Sequence, residues 1–482
     1  MFQSLAIDIG AGSGRIMRCT IDDNKKITLE EIARFPNESR DKNGFLRWNI
    51  TQLISDIKAG LAKAAAEQKP DAIAVDTWGV DYVMLDENDQ LIDDPVCYRD
   101  PRTNGLSDEF TAKFGREKLQ LLTGTQIMDI NTLFQLYSEY KANPDYAAKC
   151  KTLLFTPDYI TYCLTGKKAN EFTIASTSQI LDCAKEDWSD ELLKEVNFPR
   201  SCVLPLTRPG TIVGTADFSG VAGLEGVPVV MVGSHDTASA VASSPAVGNE
   251  WAYISSGTWC LVGIESKKAL ASKEAAALNF TNEGGVAGTW RVLKNLTGFW
   301  ILRGIKSAVA ADISYDELME QARKAEPFRS LFNPNDPSFF NPESMKDAID
   351  EFLKKTGQPV PETAGAYTRA FLESLALLFR KTIQEADSLS GRKTKTIHLL
   401  GGGAQNPTLC QFAADATGCE VLAGPVEATA IGNSMLQAVA VGKINSLEEA
   451  RALVKESFQP ERFCPNTTEE WNNAFERFLK FF

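Results

Sequence analysis

LAIDIGAGSGRIMRC, residues Leu5 to Cys19, reads as a strand, a glycine-rich turn and a returning strand. Asp8 stands near the end of the first strand. Gly10, Gly12 and Gly14 permit positive φ values, so the turn can close tightly around a ligand. Successive backbone N–H groups in such a turn converge on one point, which suits phosphate oxygens. Asp8 is a candidate to hold Mg²⁺ through water, because that ion prefers carboxylate and water oxygens. Arg15 adds positive charge where a phosphoryl group would move. A plain hairpin with a glycine turn accounts for the same letters. A P-loop does not, since the lysine and Ser/Thr of that motif are missing.

Half a chain later the arrangement recurs. Ala252–Ser255 is a short strand, Ser256-Gly257-Thr258 a tight turn and Trp259–Glu265 a returning strand. Further on, the apolar Ile397–Leu400 leads into Gly401-Gly402-Gly403 and then a helical pattern from Thr408 to Thr417. Two such hairpins predict a duplicated α/β architecture rather than a short-period repeat. A chain of 482 residues also exceeds what one core normally organises. Between the halves lie a strand at Val229–Val232, the turn Gly233-Ser234-His235 and a small-residue helix at Thr237–Ser243, ended by Pro245. The boundary is placed there, giving domains 1–244 and 245–482. Further strands are expected at Ala72–Asp76 and Val80–Asp86, and Ser330–Gln358 reads as a loop-rich insertion.

The net charge of −13 argues against a nucleic-acid partner, whose phosphates would be repelled. The start lacks a basic region, and no apolar run is long enough to span a membrane, so a cytoplasmic protein is expected. Ten scattered cysteines contain no C-x-x-C pair, which argues against a zinc ribbon or a dithiol site. With only two histidines, His235 and His398, a multi-histidine metal centre is hard to build, and acid–base chemistry falls to a carboxylate.

One carboxylate has a suggestive setting. Asp236 follows a strand end and opens a helix, the place where open α/β sheets put ligands. An ionised Asp236 could accept the proton of an attacking hydroxyl. It could equally only cap the helix. In Asp76-Thr77-Trp78-Gly79-Val80-Asp81, Trp78 offers an apolar wall and Gly79 a close approach for a polyol, or the tryptophan is simply core. The cluster Tyr98–Gly105 could meet hydroxyls or form surface ion pairs. Triple glycine at 401–403 would let a flat ligand approach the backbone, although it also serves packing.

In this order, AIDIGAGSGR, DTWGVD, YRDPRTNG, SHDTASAVASSP, SSGTWCL, NEGG, VLKN, NPND, GGGAQN and AGPVEATAIGN resemble the FGGY carbohydrate kinases, and among them the members that phosphorylate L-rhamnulose. The matches run from Ala6 to Asn433. The resemblance implies an actin-like (ribonuclease H-like) fold of two α/β domains with a cleft between them. It implies transfer of the γ-phosphate of ATP, with Mg²⁺, to the 1-hydroxyl of L-rhamnulose. The first domain would carry the sugar site and first phosphate turn, and the second domain the other phosphate turn and the nucleoside site. Carried over by motif, Ala11, Gly12, Ser13, Gly14, Arg15 and Thr258 would bind ATP phosphates, and Gly402 would lie beside the nucleoside. Arg303 stands where some relatives carry a glutamine close to ATP. Gly79, His235, Asp236, Thr237 and Asn295 would contact sugar, with Asp236 as proton acceptor. Gly12 occupies a position often held by serine, which removes a hydroxyl contact but keeps the backbone nest.

Three other readings stay open at this level: a kinase for another ketose or polyol, an actin-like ATPase without a sugar, and a sugar-binding regulator. Asp236 with DTWGVD weighs against the second, and the intact Asp8, Asp236, both turns and Gly402 weigh against the third.

Overall fold

All eight residues of β1 (Phe2–Ile9) are buried, the pattern of a central strand covered on both faces. The structure, a computed structural model, describes residues 1–142, 144–218, 220–466 and 468–482. β1 is flanked by β2 (Ser13–Ile21), β3 (Ile27–Pro36), β4 (Ala72–Thr77), β5 (Thr211–Thr215) and β6 (Pro228–Met231), in the sheet order β5-β6-β4-β1-β2-β3. From β2 outward through β1 and β4 to β6 and β5, the pairings are antiparallel, parallel, parallel and antiparallel.

A second sheet repeats that series. β7 (Trp251–Ser256), β8 (Trp259–Ser266), β9 (Trp290–Thr297), β10 (Thr396–Leu400), β11 (Glu420–Ala423) and β12 (Glu461–Phe463) run in the order β9-β8-β7-β10-β11-β12. From β8 through β7, β10 and β11 to β12 the pairings are again antiparallel, parallel, parallel and antiparallel. This is the duplicated α/β arrangement that the two hairpins predict. In each sheet the hairpin turn follows the carboxyl end of a strand that pairs in parallel with its other neighbour, β1 with β4 and β7 with β10.

The chain divides into two compact units. Unit 1 holds Met1–Pro245, Glu265–Val292 and Ala428–Phe458, and unit 2 holds Ala246–Ile264, Leu293–Glu427 and Gln459–Phe482. The first crossing falls one residue past the sequence-placed boundary at 244/245, but the chain then returns twice to unit 1. The later return has a clear physical cause. In unit 1, α1 (Asp236–Ala242) packs against α2 (Ala428–Ala440), a helix of small and apolar residues buried along most of its length. Gln437 on α2 donates through Nε2 to the Leu5 carbonyl of β1 at 3.1 Å. A helix apolar over most of its circumference needs partners on several sides.

Other differences are local. The expected helix at Thr237–Ser243 starts one residue earlier, and the strand expected at Val80–Asp86 is Tyr82–Leu85, which pairs with Thr152–Phe155 outside the main sheet. The loop-rich insertion contains an eleven-residue helix, Met345–Lys355, whose Met345, Ala348, Ile349 and Leu353 make one buried stripe. No helix among the described residues is long and apolar enough to cross a membrane, and all ten cysteines are free.

Gly432 marks the closest approach of α2 to α1, because a Cβ there would collide with the carbonyl oxygen of Ser239. Gly432→Ala should therefore destabilise unit 1 by about 1–3 kcal/mol, the usual cost of overpacking. Denaturant unfolding measures this, and an unchanged midpoint would contradict the tight crossing.

Candidate active site

The parallel strands of unit 1 bring three aspartates to one edge. Asp8 on β1 and Asp76 on β4 are direct neighbours in the register. The Thr77 N–H donates to the Ser234 carbonyl at 2.9 Å, and Thr77 bridges to His235 in the parallel sense. Asp236, the first residue of α1, follows at once. Carboxyl ends of such strands are where α/β sheets place ligands.

The three carboxylates live in different surroundings. Asp76 is fully buried, and Asn433 of α2 donates to its Oδ2 at 2.6 Å. Its Oδ1 has no hydrogen-bond partner among the described residues. Burial, then the negative charge of Asp8, pushes the Asp76 carboxyl well above its usual range. Asp8 is paired with Arg15, whose Nη2 donates to Oδ2 at 2.7 Å.

Asp236 stays open, with 32% of its side chain exposed. Its Oδ1 accepts the backbone N–H of Thr237 at 2.5 Å and the Thr237 hydroxyl at 3.1 Å. Part of a cap's work thus falls to it, although the capping position itself is His235, whose side chain makes no cap bond. Burial raises the Asp236 pKa, the facing His235 opposes this, and Asp8 adds to it. A carboxylate of raised basicity, reached by solvent, is suited to accept a proton.

Behind His235 lies a buried group that sequence reasoning passed over. Glu283 and Arg291 pair at 3.1 Å, and Arg291 Nη2 lies 3.0 Å from His235 Nδ1. NEGG carried Glu283 only as a piece of the resemblance, and nothing in the spacing joins it to Arg291. Asn433 was likewise only the end of a quoted motif.

The wall around Gly79 is built by Asp81. This buried carboxylate accepts Trp48 Nε1–H at 2.6 Å, Trp78 Nε1–H at 2.9 Å, Gln135 Nε2–H at 3.2 Å and the Tyr98 N–H at 3.3 Å. Burial pushes it up to about 6 against those donors. Trp78 is 7% exposed and its ring centroid lies 4.7 Å from that of Trp48, which favours the core reading of this tryptophan. Val80 sits at φ 68°, rare for a β-branched residue, and is held by Thr177 Oγ1 on its N–H and Thr132 Oγ1 on its carbonyl. In Tyr98–Gly105, Arg102 is a buried brace on Glu139 and Gln135 rather than a surface charge.

The glycines of the first turn are not used as expected. None of Gly10, Gly12 and Gly14 adopts a positive φ. Gly14 is required because a Cβ would collide with the Phe35 ring, whereas a Cβ on Gly12 would meet nothing within 4 Å. The turn is held by Gly10 N–H donating to Ser13 O at 2.9 Å and Asn37 Nδ2 donating to Gly10 O at 2.9 Å. Ala11 and Gly12 form its outer tip, between Gly10 and the start of β2 at Ser13, with Gly14 and Arg15 following on the strand.

In unit 2 the second turn and the triple glycine meet. Gly401 has φ 78°, and its Cβ position lies 2.9 Å from the Ser256 carbonyl oxygen. A Cβ on Gly403 would collide with the Ser256 side chain, while one on Gly402 would meet nothing within 4 Å. Two of the three glycines are therefore structural, and Gly402 alone faces open space. The helix Phe299–Val309 is tied to the same turn by Phe299 N–H donating to Gly257 O at 3.1 Å and Trp300 N–H to Thr258 O at 3.3 Å. Arg303 is exposed on that helix, and Asn295 is half-buried on β9. The sequence-named residues thus form two sets, the unit 1 set around Asp8 and Asp236 and the unit 2 set around Thr258 and Gly402.

Residues 3–242 match the FGGY family of carbohydrate kinases, N-terminal domain, and residues 252–441 match its C-terminal domain. A rhamnulokinase of Bacteroides thetaiotaomicron is 41% identical over 476 residues, covering 98% of each chain. A rhamnulokinase of Enterococcus faecalis is 39% identical over 483 residues, covering 99% of this chain and 97% of the relative. Among solved structures, a xylulose kinase from Rhodospirillum rubrum superposes with a TM-score of 0.81 at 19% identity, covering 99% of this chain and 98% of that one, which speaks to the fold.

Two neighbouring glycines separate packing from ligand space. Gly403→Ala should cost about 1–3 kcal/mol by overpacking, while Gly402→Ala should stay within about 0.5 kcal/mol of the parent. Equal losses in denaturant unfolding would show that Gly402 is not open.

Proposed function

The chain belongs to the FGGY family of carbohydrate kinases, and from that premise we propose its reaction: transfer of the γ-phosphoryl group of ATP to the 1-hydroxyl of L-rhamnulose. The observation that carries the chemistry is Asp236, a part-exposed carboxylate of raised pKa that feels the charge of Asp8, itself paired with Arg15. The sugar is supported by the full-length likeness to rhamnulokinases.

In this reading the O1–H proton passes to Asp236 as O1 attacks the γ-phosphorus. A new O1–P bond forms, the bond to the leaving oxygen breaks, and ADP departs. Phosphoryl transfer depends mainly on positioning and on charge stabilisation. His235, Thr237, Gly79 and Asn295 are assigned to sugar contacts. Ala11, Gly12, Ser13, Gly14, Arg15 and Thr258 are assigned to the ATP phosphates, Arg303 to the neighbourhood of ATP, and Gly402 to the nucleoside. The open side of Gly402, where a Cβ would meet no protein atom within 4 Å, supports the last assignment.

Mg²⁺ fits the donor set. Asp8 and the unpartnered Oδ1 of Asp76 supply hard carboxylate oxygen. Among the described residues no group of three or more His, Cys, Asp or Glu could hold an ion, so Asp8 would act through water. The ion would offset charge on the phosphate oxygens. The cytoplasm suits this chemistry, since ATP is held there and ten free thiols stay reduced.

Two outcomes follow for Asp236. Asp236→Asn keeps the shape and loses the base, so turnover should fall on the order of 10²–10⁴-fold with ATP binding largely kept. In the parent, the base must be ionised, so kcat/KM should fall as pH drops through its raised pKa. That acid limb should lie above the ordinary 3.8 of an aspartate and vanish in Asp236→Asn. Near-parental turnover in the variant would reduce Asp236 to a helix cap.

Gly402→Val should raise the KM for ATP more than that for sugar, because the branched side chain enters the open space. Steady-state kinetics in both substrates read this directly, and an unchanged ATP KM would remove Gly402 from the nucleotide site.

A further inference from the structure

His235 touches Asp236 on one side of its ring and a buried ion pair on the other. Nε2 lies 3.4 Å from Asp236 Oδ1, while Nδ1 faces Arg291 Nη2 at 3.0 Å and Glu283 Oε2 at 3.3 Å. All four residues belong to unit 1. Arg291 is held from behind, its Nε–H donating to the Gly284 carbonyl at 3.0 Å, and its side chain is 1% exposed.

Which neighbour controls Nδ1 is decided by direction and by donor chemistry. Glu283 Oε2 lies 3.3 Å from Nδ1 and is engaged by the Arg291 guanidinium at 3.1 Å, whereas Arg291 Nη2 reaches Nδ1 itself at 3.0 Å with hydrogen-bond geometry. A guanidinium only donates. Nδ1 must then offer its lone pair, and the ring proton sits on Nε2. At 3.4 Å from Asp236, that N–H is beyond a formed hydrogen bond and is open to an oxygen placed beside the carboxylate. Glu283 balances the buried charge of Arg291, which would be costly alone.

We propose that Arg291, backed by Glu283, is a positioning residue that fixes His235 as the Nε2–H tautomer. His235 then presents a donor, never an acceptor, next to the base. This deepens the kinase reading above and rests on it for the sugar. The hydroxyl that meets His235 must turn a lone pair towards it while the neighbouring hydroxyl gives its proton to Asp236. A sugar of the wrong configuration would leave the N–H of the largely buried His235 ring unpaired. Arg291 touches no reacting atom in this scheme and acts through the ring.

The chain has only two histidines, which makes the tautomer directly measurable. The full-length protein is labelled with ring-¹⁵N histidine and studied by long-range ¹H–¹⁵N correlation without sugar, with His398→Gln assigning the second ring. His235 should show a protonated Nε2 and a lone-pair Nδ1. Arg291→Lys, whose ammonium also only donates, should keep that pattern. Arg291→Met should lose it, and kcat/KM for whichever sugar the enzyme turns over should fall on the order of 10- to 100-fold, as for an unsatisfied polar group, with the KM for ATP within about twofold. A protonated Nδ1 in the parent protein, alone or with Nε2, overturns the proposal even if Arg291→Met fails to fold. So does an Arg291→Met protein that keeps both the pattern and the sugar kinetics. The tautomer is read in the absence of sugar, so it stands or falls separately from the choice of L-rhamnulose.

Discussion

The burial of carboxylates at one strand edge is the constraint on which unit 1 depends. Asp8, Asp76 and Asp236 are gathered at the carboxyl ends of adjacent strands, and burial, with the negative charge of Asp8 added, raises the pKa of Asp76 and of Asp236. Left alone, such a cluster would protonate or push the strand ends apart. Each member has its own counterpart. Arg15, across the hairpin, neutralises Asp8, Asn433 donates to Asp76, and the Thr237 N–H and hydroxyl hold Asp236. The only carboxylate with substantial exposure is Asp236, the one assigned to chemistry.

That constraint explains the path of the chain. Asn433 reaches Asp76 because α2, from the far end of the sequence, lies on α1 and β1. Gly432, beside Asn433, brings the helix close, and Gln437 holds both the Asn433 side chain and the Leu5 carbonyl. One face of α2 is thus devoted to the hairpin strand and its neighbour. A single-residue change there acts on the carboxylate cluster without touching a ligand.

The fold was legible because hairpins advertise themselves locally. LAIDIGAGSGR and SSGTW each state strand, turn and strand within a few residues, and their recurrence gave the duplication. Asp236 was legible as a residue after a strand end, but its two possible roles were not separable until its exposure and partners were known. The glycines of the turns could not be sorted by role, because composition does not reveal whether a missing Cβ serves φ, a neighbouring ring or a ligand. Gly14 serves Phe35, Gly403 serves Ser256, and only Gly12 and Gly402 face open space. The Arg291–Glu283 pair and Asn433 were invisible because they depend on contacts across long stretches of chain, and no local periodicity marks a buried ion pair. Trp78 looked like a possible sugar wall, yet its N–H and ring are taken up by Asp81 and Trp48.

A competition of sugars asks whether this kinase's site selects L-rhamnulose. Purified protein with ATP and Mg²⁺ is offered L-rhamnulose, related ketoses, D-xylulose and glycerol, and kcat/KM is compared by ADP release. An apolar surface around the terminal methyl group would reject an added hydroxyl by only roughly 10²-fold, so most of the discrimination must come from the polar contacts around His235. L-rhamnulose should come first, ketoses of matching configuration next, and D-xylulose and glycerol far behind. A kcat/KM for D-xylulose or glycerol at least about tenfold above that for L-rhamnulose, a clear margin of 1.4 kcal/mol, would contradict the assigned sugar.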